Sequence, residues 1–133
     1  GSIDHKSQVG IKGDWTITNV SYANSDFIKV TSFDVADSKC FVGSNWNFVS
    51  NNNKGTMNLN GGAGCPSFSS PIVWTVTKAG DFTLKITEGE KAKRVTSGYF
   101  LKVRNQTENS FQLVDNVNVG GKTVEVTYQF SKM

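Results

Sequence analysis

The side chains best able to do chemistry in this 133-residue chain are few and scattered. His5 is its lone histidine and lies in a polar N-terminal stretch, with no nucleophile beside it. Glu88 and Glu90 stand two apart in a charged segment and read as solvated loop residues, not as an acid–base pair. Cys40 and Cys65 are the only cysteines, too few to close a structural zinc site. They read as a disulfide formed in an oxidising compartment, or else as two reduced thiols in a cytosolic core. Asp115 differs from the other carboxylates because it shares strand parity with Phe111 and Leu113. The strand reads as irregular near 115–116, which would carry Asp115 out to solvent. Without that irregularity Asp115 is a polar handle for a ligand. An enzyme needs a nucleophile with its base, paired carboxylates or a metal, and none is spelled here. The expectation is a protein that is not an enzyme and uses no cofactor.

What the chain does hold is rings. Trp15, Trp46, Phe48, Trp74, Phe82, Tyr99, Phe111, Tyr128 and Phe130 sit on the apolar parity of alternating segments. Such alternation marks half-buried strands, here over 13–22, 45–50, 56–61, 72–78, 82–87, 98–106, 111–119 and 122–132. Asn51-Asn52-Asn53-Lys54-Gly55 and Gly120-Gly121 are turn signals, because Asn and Gly reach positive φ at little cost. Residues 27–33 extend a strand, 34–39 suit one short helical turn before Cys40, and 61–71 and 88–97 read as loops. Residues 1–12 are polar and without period, a flexible leader or tether ahead of one domain over 13–133. Many short strands in series, with no edge that must stay open, predict an all-β fold. The expected form is a single up-and-down antiparallel β-barrel of about eight strands.

Hydrophobic residues make up 37% and charged residues 19%, which excludes a disordered chain and an integral membrane helix protein. No apolar run approaches the roughly 18 residues of a membrane helix. The formal net charge is +3, and basic residues outnumber acidic ones between 78 and 104. The aromatics there fall on the opposite parity, so the excess reads as outward faces and a solvated loop. A nucleic-acid surface would interleave the two, and no nucleic-acid partner is expected.

A barrel of this size is either filled by its side chains or holds one small ligand. The candidate cavity is lined by Trp46, Trp74, Phe82, Leu84, Tyr99 and Leu101, with Met57 adapting at the rim. Phe48, Asp115 and Tyr128 complete the candidate ligand-binding set. The function read from this is non-catalytic binding of a small hydrophobic molecule. The alternative is a filled barrel that meets another protein at the cell envelope through loops 61–71 and 88–97.

Four segments carry a family resemblance. Gly13-Asp14-Trp15 sits like a G-x-W at the start of a first strand. Cys40-Phe41-Val42-Gly43-Ser44-Asn45-Trp46-Asn47-Phe48 looks like C-F-x-G-S-x-W-x-F. Asn51-Asn52-Asn53-Lys54-Gly55-Thr56 follows as N-N-N-x-G-T, and Cys65-Pro66 supplies the partner of Cys40. Over residues 13–132 the chain resembles the lipocalin-like proteins of Bacteroidetes, a branch of the lipocalin/calycin barrels. The resemblance implies an exported monomer, periplasmic or held at the outer membrane through an N-terminal lipid anchor. Lipocalins pack an arginine from the last strand over the first-strand tryptophan. The end of the last strand here holds no arginine, and Lys132 is expected over Trp15.

Overall fold

The computed structural model describes residues 10–24, 27–87 and 98–133. Its strands are β1 (Gly13–Ser21), β2 (Thr31–Ser32), β3 (Ala36–Asp37), β4 (Asn45–Val49), β5 (Lys54–Gly62), β6 (Cys65–Val76), β7 (Asp81–Ile86), β8 (Tyr99–Arg104), β9 (Ser110–Val119) and β10 (Lys122–Lys132). Eight of them close a barrel in the order β1-β10-β9-β8-β7-β6-β5-β4, with every described pairing antiparallel. Closure between β1 and β4 removes both sheet edges at once. The expected eight-stranded up-and-down barrel is therefore the fold.

Alternation does the positioning. In β7, Phe82, Leu84 and Ile86 are buried while Asp81, Thr83 and Lys85 are not. In β10, Val126, Tyr128 and Phe130 turn into the core on the same period of two. Gly55 of β5 lies so close to β4 that a Cβ there would meet the Asn47 carbonyl oxygen at 2.0 Å.

Four local expectations change. Residues 61–71 are not a loop. β5 and β6 run on as a long hairpin to the pair Gly62↔Cys65, with Asn60 opposite Ser67 and Asn58 opposite Ser69. Gly61, Gly62 and Gly64 all take positive φ, so the glycines make a tight turn where composition alone suggested disorder of the chain path. The helical turn is a 3-10 turn at Ser38–Phe41, not 34–39, and it contains Cys40. The Asp37 side chain caps it by accepting the Lys39 N–H at 3.0 Å. Of the strand expected over 27–33 only Thr31–Ser32 is regular, paired with Ala36–Asp37. Finally, β9 shows no irregularity near 115–116: its register against β10 is unbroken from Ser110↔Ser131 to Val119↔Lys122. The register shift lies in β1, between Ile17 and Asn19, and it lets both Ile17 and Val20 face the core.

Cys40 and Cys65 are joined by a disulfide across a separation of 25 residues, as one of the two sequence readings had it. It ties the 3-10 turn to the tip of the β5–β6 hairpin.

The barrel's lower end is closed by residues the sequence had assigned to a tether. Ile11 is fully buried, and its carbonyl accepts the Trp15 indole N–H at 2.6 Å. The Lys132 ammonium sits 4.7 Å from the Trp15 ring centroid and donates to the Lys12 carbonyl at 2.9 Å. Gly13, at φ 113°, makes this possible, because a Cβ there would lie 2.6 Å from Lys132 Nζ. Residues 1–9, and the charged segment expected as a loop at 88–97, lie outside the described residues.

Candidate functional site

The rings converge as alternation requires, but they form two layers. In the lower layer Trp15 meets Phe111 edge-on at 4.7 Å, and Phe111 stacks on Phe130 at 4.7 Å. Phe48 touches Trp74 at 5.1 Å, and Trp74 stacks on Phe82 at 5.9 Å. Aromatic pairs at such separations each contribute about 0.5–1.5 kcal/mol beyond the area they bury. Phe48, Trp74 and Phe82 thus belong to interlocked core. Met57 also moves inward: it is buried in β5 opposite Trp46, not at a rim.

The upper layer is built around a ring that sequence reasoning missed. Phe33 lies 5.5 Å from Phe41, 6.4 Å from Trp46, 5.3 Å from Tyr99 and 5.5 Å from Tyr128. It is delivered by the β2–β3 turn, which crosses the barrel mouth. Three residues, 33–35, connect the pair Ser32↔Ala36, and Ser32 to Val35 form a tight turn in which the Val35 N–H donates to the Ser32 carbonyl at 3.0 Å. Phe33 and Asp34 occupy its centre at φ 54° and 55°, a backbone that normally calls for Asn-Gly. Non-glycine residues pay roughly 1–2 kcal/mol for that left-handed conformation. Nothing in Phe-Asp announces such a turn, so a cap over the mouth is not legible from the residues alone.

Two hydrogen bonds fasten this cap to the wall. The Tyr99 hydroxyl donates to Asp34 Oδ2 at 2.9 Å, and the Tyr128 and Ser32 hydroxyls share a short bond. Burial pushes the Tyr128 phenol well above its ordinary range, with the Ser32 bond partly opposing. The interior tryptophan N–H groups are also spent on the protein. Trp46 donates to Ser44 Oγ and Trp74 to the Lys54 carbonyl, each at 2.9 Å.

Of the sequence-derived candidates, Trp46, Leu84, Tyr99, Asp115 and Tyr128 belong to this upper end. Leu84 is paired with Tyr99 across β7 and β8, while Leu101 is paired with Phe82 and stands between the two layers. Asp115 faces inward beside them, on the parity of Phe111 and Leu113, opposite Val126. Burial pushes its carboxyl up to about 6, against a smaller downward pull from the Asn116 backbone N–H. Among the described residues no group of three or more metal-type ligands comes together.

The upper wall is also incomplete on one side. β1 leaves β10 after the pair Ser21↔Thr127, so Lys122–Val126 pair with β9 alone. A cleft of about 640 Å³ lies in that gap, with Tyr22, Ile28, Val119 and Val124 supplying its apolar lining.

Comparison with solved structures finds the same barrel at low identity. Bovine odorant-binding protein in complex with a selenium-containing odorant is 12% identical with a TM-score of 0.52, over 95% of this chain and 72% of that one. The bovine lipocalin allergen Bos d 2 is 14% identical with a TM-score of 0.51, over 95% and 75%. Comparison with curated proteins finds no match. The profile of the lipocalin-like domain family matches residues 11–113, from the buried Ile11 through to Leu113 of β9. The chain belongs to the lipocalin-like domain family.

Proposed function

We propose that this barrel binds a small apolar molecule at its upper end, without performing chemistry on it. The observation that carries the reading is Phe33. A phenyl ring fills the mouth, held there by a left-handed backbone and a hairpin of only two residue pairs. A two-stranded hairpin is marginal by itself. Phe33 is thus the wall element most easily moved, and the space it vacates is lined by Phe41, Trp46, Tyr99 and Tyr128. A ligand that takes its place buries apolar area at roughly 25 cal/mol per Å². Bovine odorant-binding protein, whose structures hold an odorant or its natural ligand, supports the same use of the fold. Trp46, Leu84, Tyr99, Leu101, Asp115 and Tyr128 are the contacts we assign.

In this reading the protein is an exported monomer of the Bacteroidetes branch, periplasmic or lipid-anchored at the outer membrane, and the Cys40–Cys65 bridge favours an oxidising compartment. Docking through 61–71 is not favoured, since that segment is barrel wall and not a free loop.

Titration with an environment-sensitive apolar dye tests the binding. Saturable enhancement with quenching of tryptophan fluorescence is expected, stronger in Phe33→Ala and with the quench reduced in Trp46→Phe. Absence of binding in both the wild type and Phe33→Ala would sink the proposal.

A further inference from the structure

Asp115 is the one carboxylate that the described barrel strands turn inward, and among the described residues no lysine or arginine forms an ion pair with it. The inward-facing cation of β10 is Lys132, committed to Trp15 at the other end. Six residues separate it from Val126, the partner of Asp115, which is roughly 20 Å along a strand. The Asn116 N–H is the one donor described at the Asp115 carboxyl. An ionised carboxylate has room for about four hydrogen bonds. The other polar groups at this end, Tyr128 with Ser32 and Tyr99 with Asp34, are already paired with one another. Ser38 Oγ, in the 3-10 turn, is the one buried neutral side-chain atom left without a partner among the described residues, and the spare charged acceptor on the barrel strands is Asp115.

Taking a charge out of water without a partner is costly, and a bound cation is what offsets it. The rings around the mouth add to this, since an ammonium over a tyrosine or phenylalanine face gains about 0.5–2 kcal/mol. A ligand with its own carboxylate would meet like charge at the same place. Resting on the apolar-ligand reading above, we infer that the preferred ligand class is a lipophilic amine. Its ammonium ion lies against Asp115 and its hydrocarbon body among Phe33, Tyr99 and Tyr128.

The titratable group that bears on Asp115 is Tyr128 from β10. Burial pushes that phenol up, so it stays neutral across the acid to neutral range. Asp34 is the other carboxylate at this end and serves as the control.

The experiment compares decylamine, decanol and decanoate by calorimetry, below their aggregation limits, at pH 7.5 and pH 5. At pH 7.5 decylamine is expected to bind at least about tenfold more tightly than decanol, with decanoate weakest. At pH 5, where Asp115 takes up a proton, the preference for the amine shrinks. Asp115→Asn brings decylamine to within about threefold of decanol, and an unchanged near-UV circular dichroism spectrum shows that the fold is intact. Asp34→Asn keeps the preference. An amine no better than the alcohol in the wild type overturns the inference, as does a preference that survives Asp115→Asn or disappears in Asp34→Asn. If decanol binds and the amine has no advantage, the apolar-ligand reading stands and only the amine falls. If none of the three binds, both fall.

Discussion

The Phe33 ring stacks on the Tyr128 ring, 5.5 Å between centroids and 26° between planes, while its own backbone sits at φ 54°. Side-chain burial and backbone preference oppose each other in one residue. Burial wins, because a phenyl ring can remove well over 100 Å² of apolar surface from water and the left-handed backbone costs only about 1–2 kcal/mol.

That opposition gives an unusual ordering of variants. Phe33→Ala loses the ring and keeps the unfavourable φ, so it should lose roughly 3 kcal/mol. Phe33→Gly loses the same ring but is at ease at φ 54°, and should be about 1 kcal/mol more stable than the alanine variant. Urea unfolding of the two proteins checks this. An alanine variant more stable than the glycine variant would show that the turn is not held in the left-handed region.

Lys132 over Trp15 closes the opposite end by a different means. Lys132→Met keeps most of the aliphatic stem and removes both the cation–π contact and the bond to the Lys12 carbonyl. A loss of about 1–2 kcal/mol is expected. Trp15 fluorescence should report the loosened end, and ligand binding at the mouth should be unchanged. A variant as stable as the wild type would mean that the ammonium contributes nothing there.

The Cys40–Cys65 bridge joins the 3-10 turn to the β5–β6 tip across a separation of 25 residues. By chain entropy such a loop contributes roughly 3 kcal/mol. The Cys40→Ser, Cys65→Ser double variant should fold to the same barrel and melt several degrees lower. Alkylation of the native, unreduced protein should modify neither cysteine. Two reactive thiols would remove the support for an oxidising compartment.

The legibility of this fold follows from which forces are local. β10 was readable to the residue, because its side chains alternate strictly from Lys122 to Lys132 and Gly120-Gly121 marks the turn before it. The β5–β6 extension was not, because serine, glycine and proline carry no strand preference. What holds 65–71 in place is the partner strand, a tertiary effect. Phe33 was invisible for the same reason. Its value lies in four rings contributed by the 3-10 turn and three separate barrel strands, none of which is near it along the alternating pattern that revealed the others. Asp115 was read correctly in parity. The irregularity expected there came from the cost of facing a carboxylate inward, and the unbroken register shows that the strand accepts that cost.

That cost should be visible as pH-dependent stability. The Asp115 carboxyl titrates near 3.8 in an unstructured chain and is pushed up to about 6 in the fold, chiefly by burial. Between those values the folded protein holds a proton that the unfolded chain has released. The unfolded state binds fewer protons there, so stability falls as pH rises through this window and levels off above about 6. Two pH units correspond to nearly 3 kcal/mol for a fully desolvated group. Asp115 is only partly buried, so about 1–2 kcal/mol is the expected loss. Asp81 has the opposite sign, because its hydrogen bond with Lys102 lowers its carboxyl below 3.8. The comparison is therefore made against Asp115→Asn, in which Asp81 is unchanged. Stability of the wild type relative to that variant, measured by chemical unfolding from pH 3.5 to 7.5, should decline by that amount. A flat difference across the range would mean that the Asp115 carboxylate is already solvated or partnered in the free protein, and that the mouth carries no unmet charge.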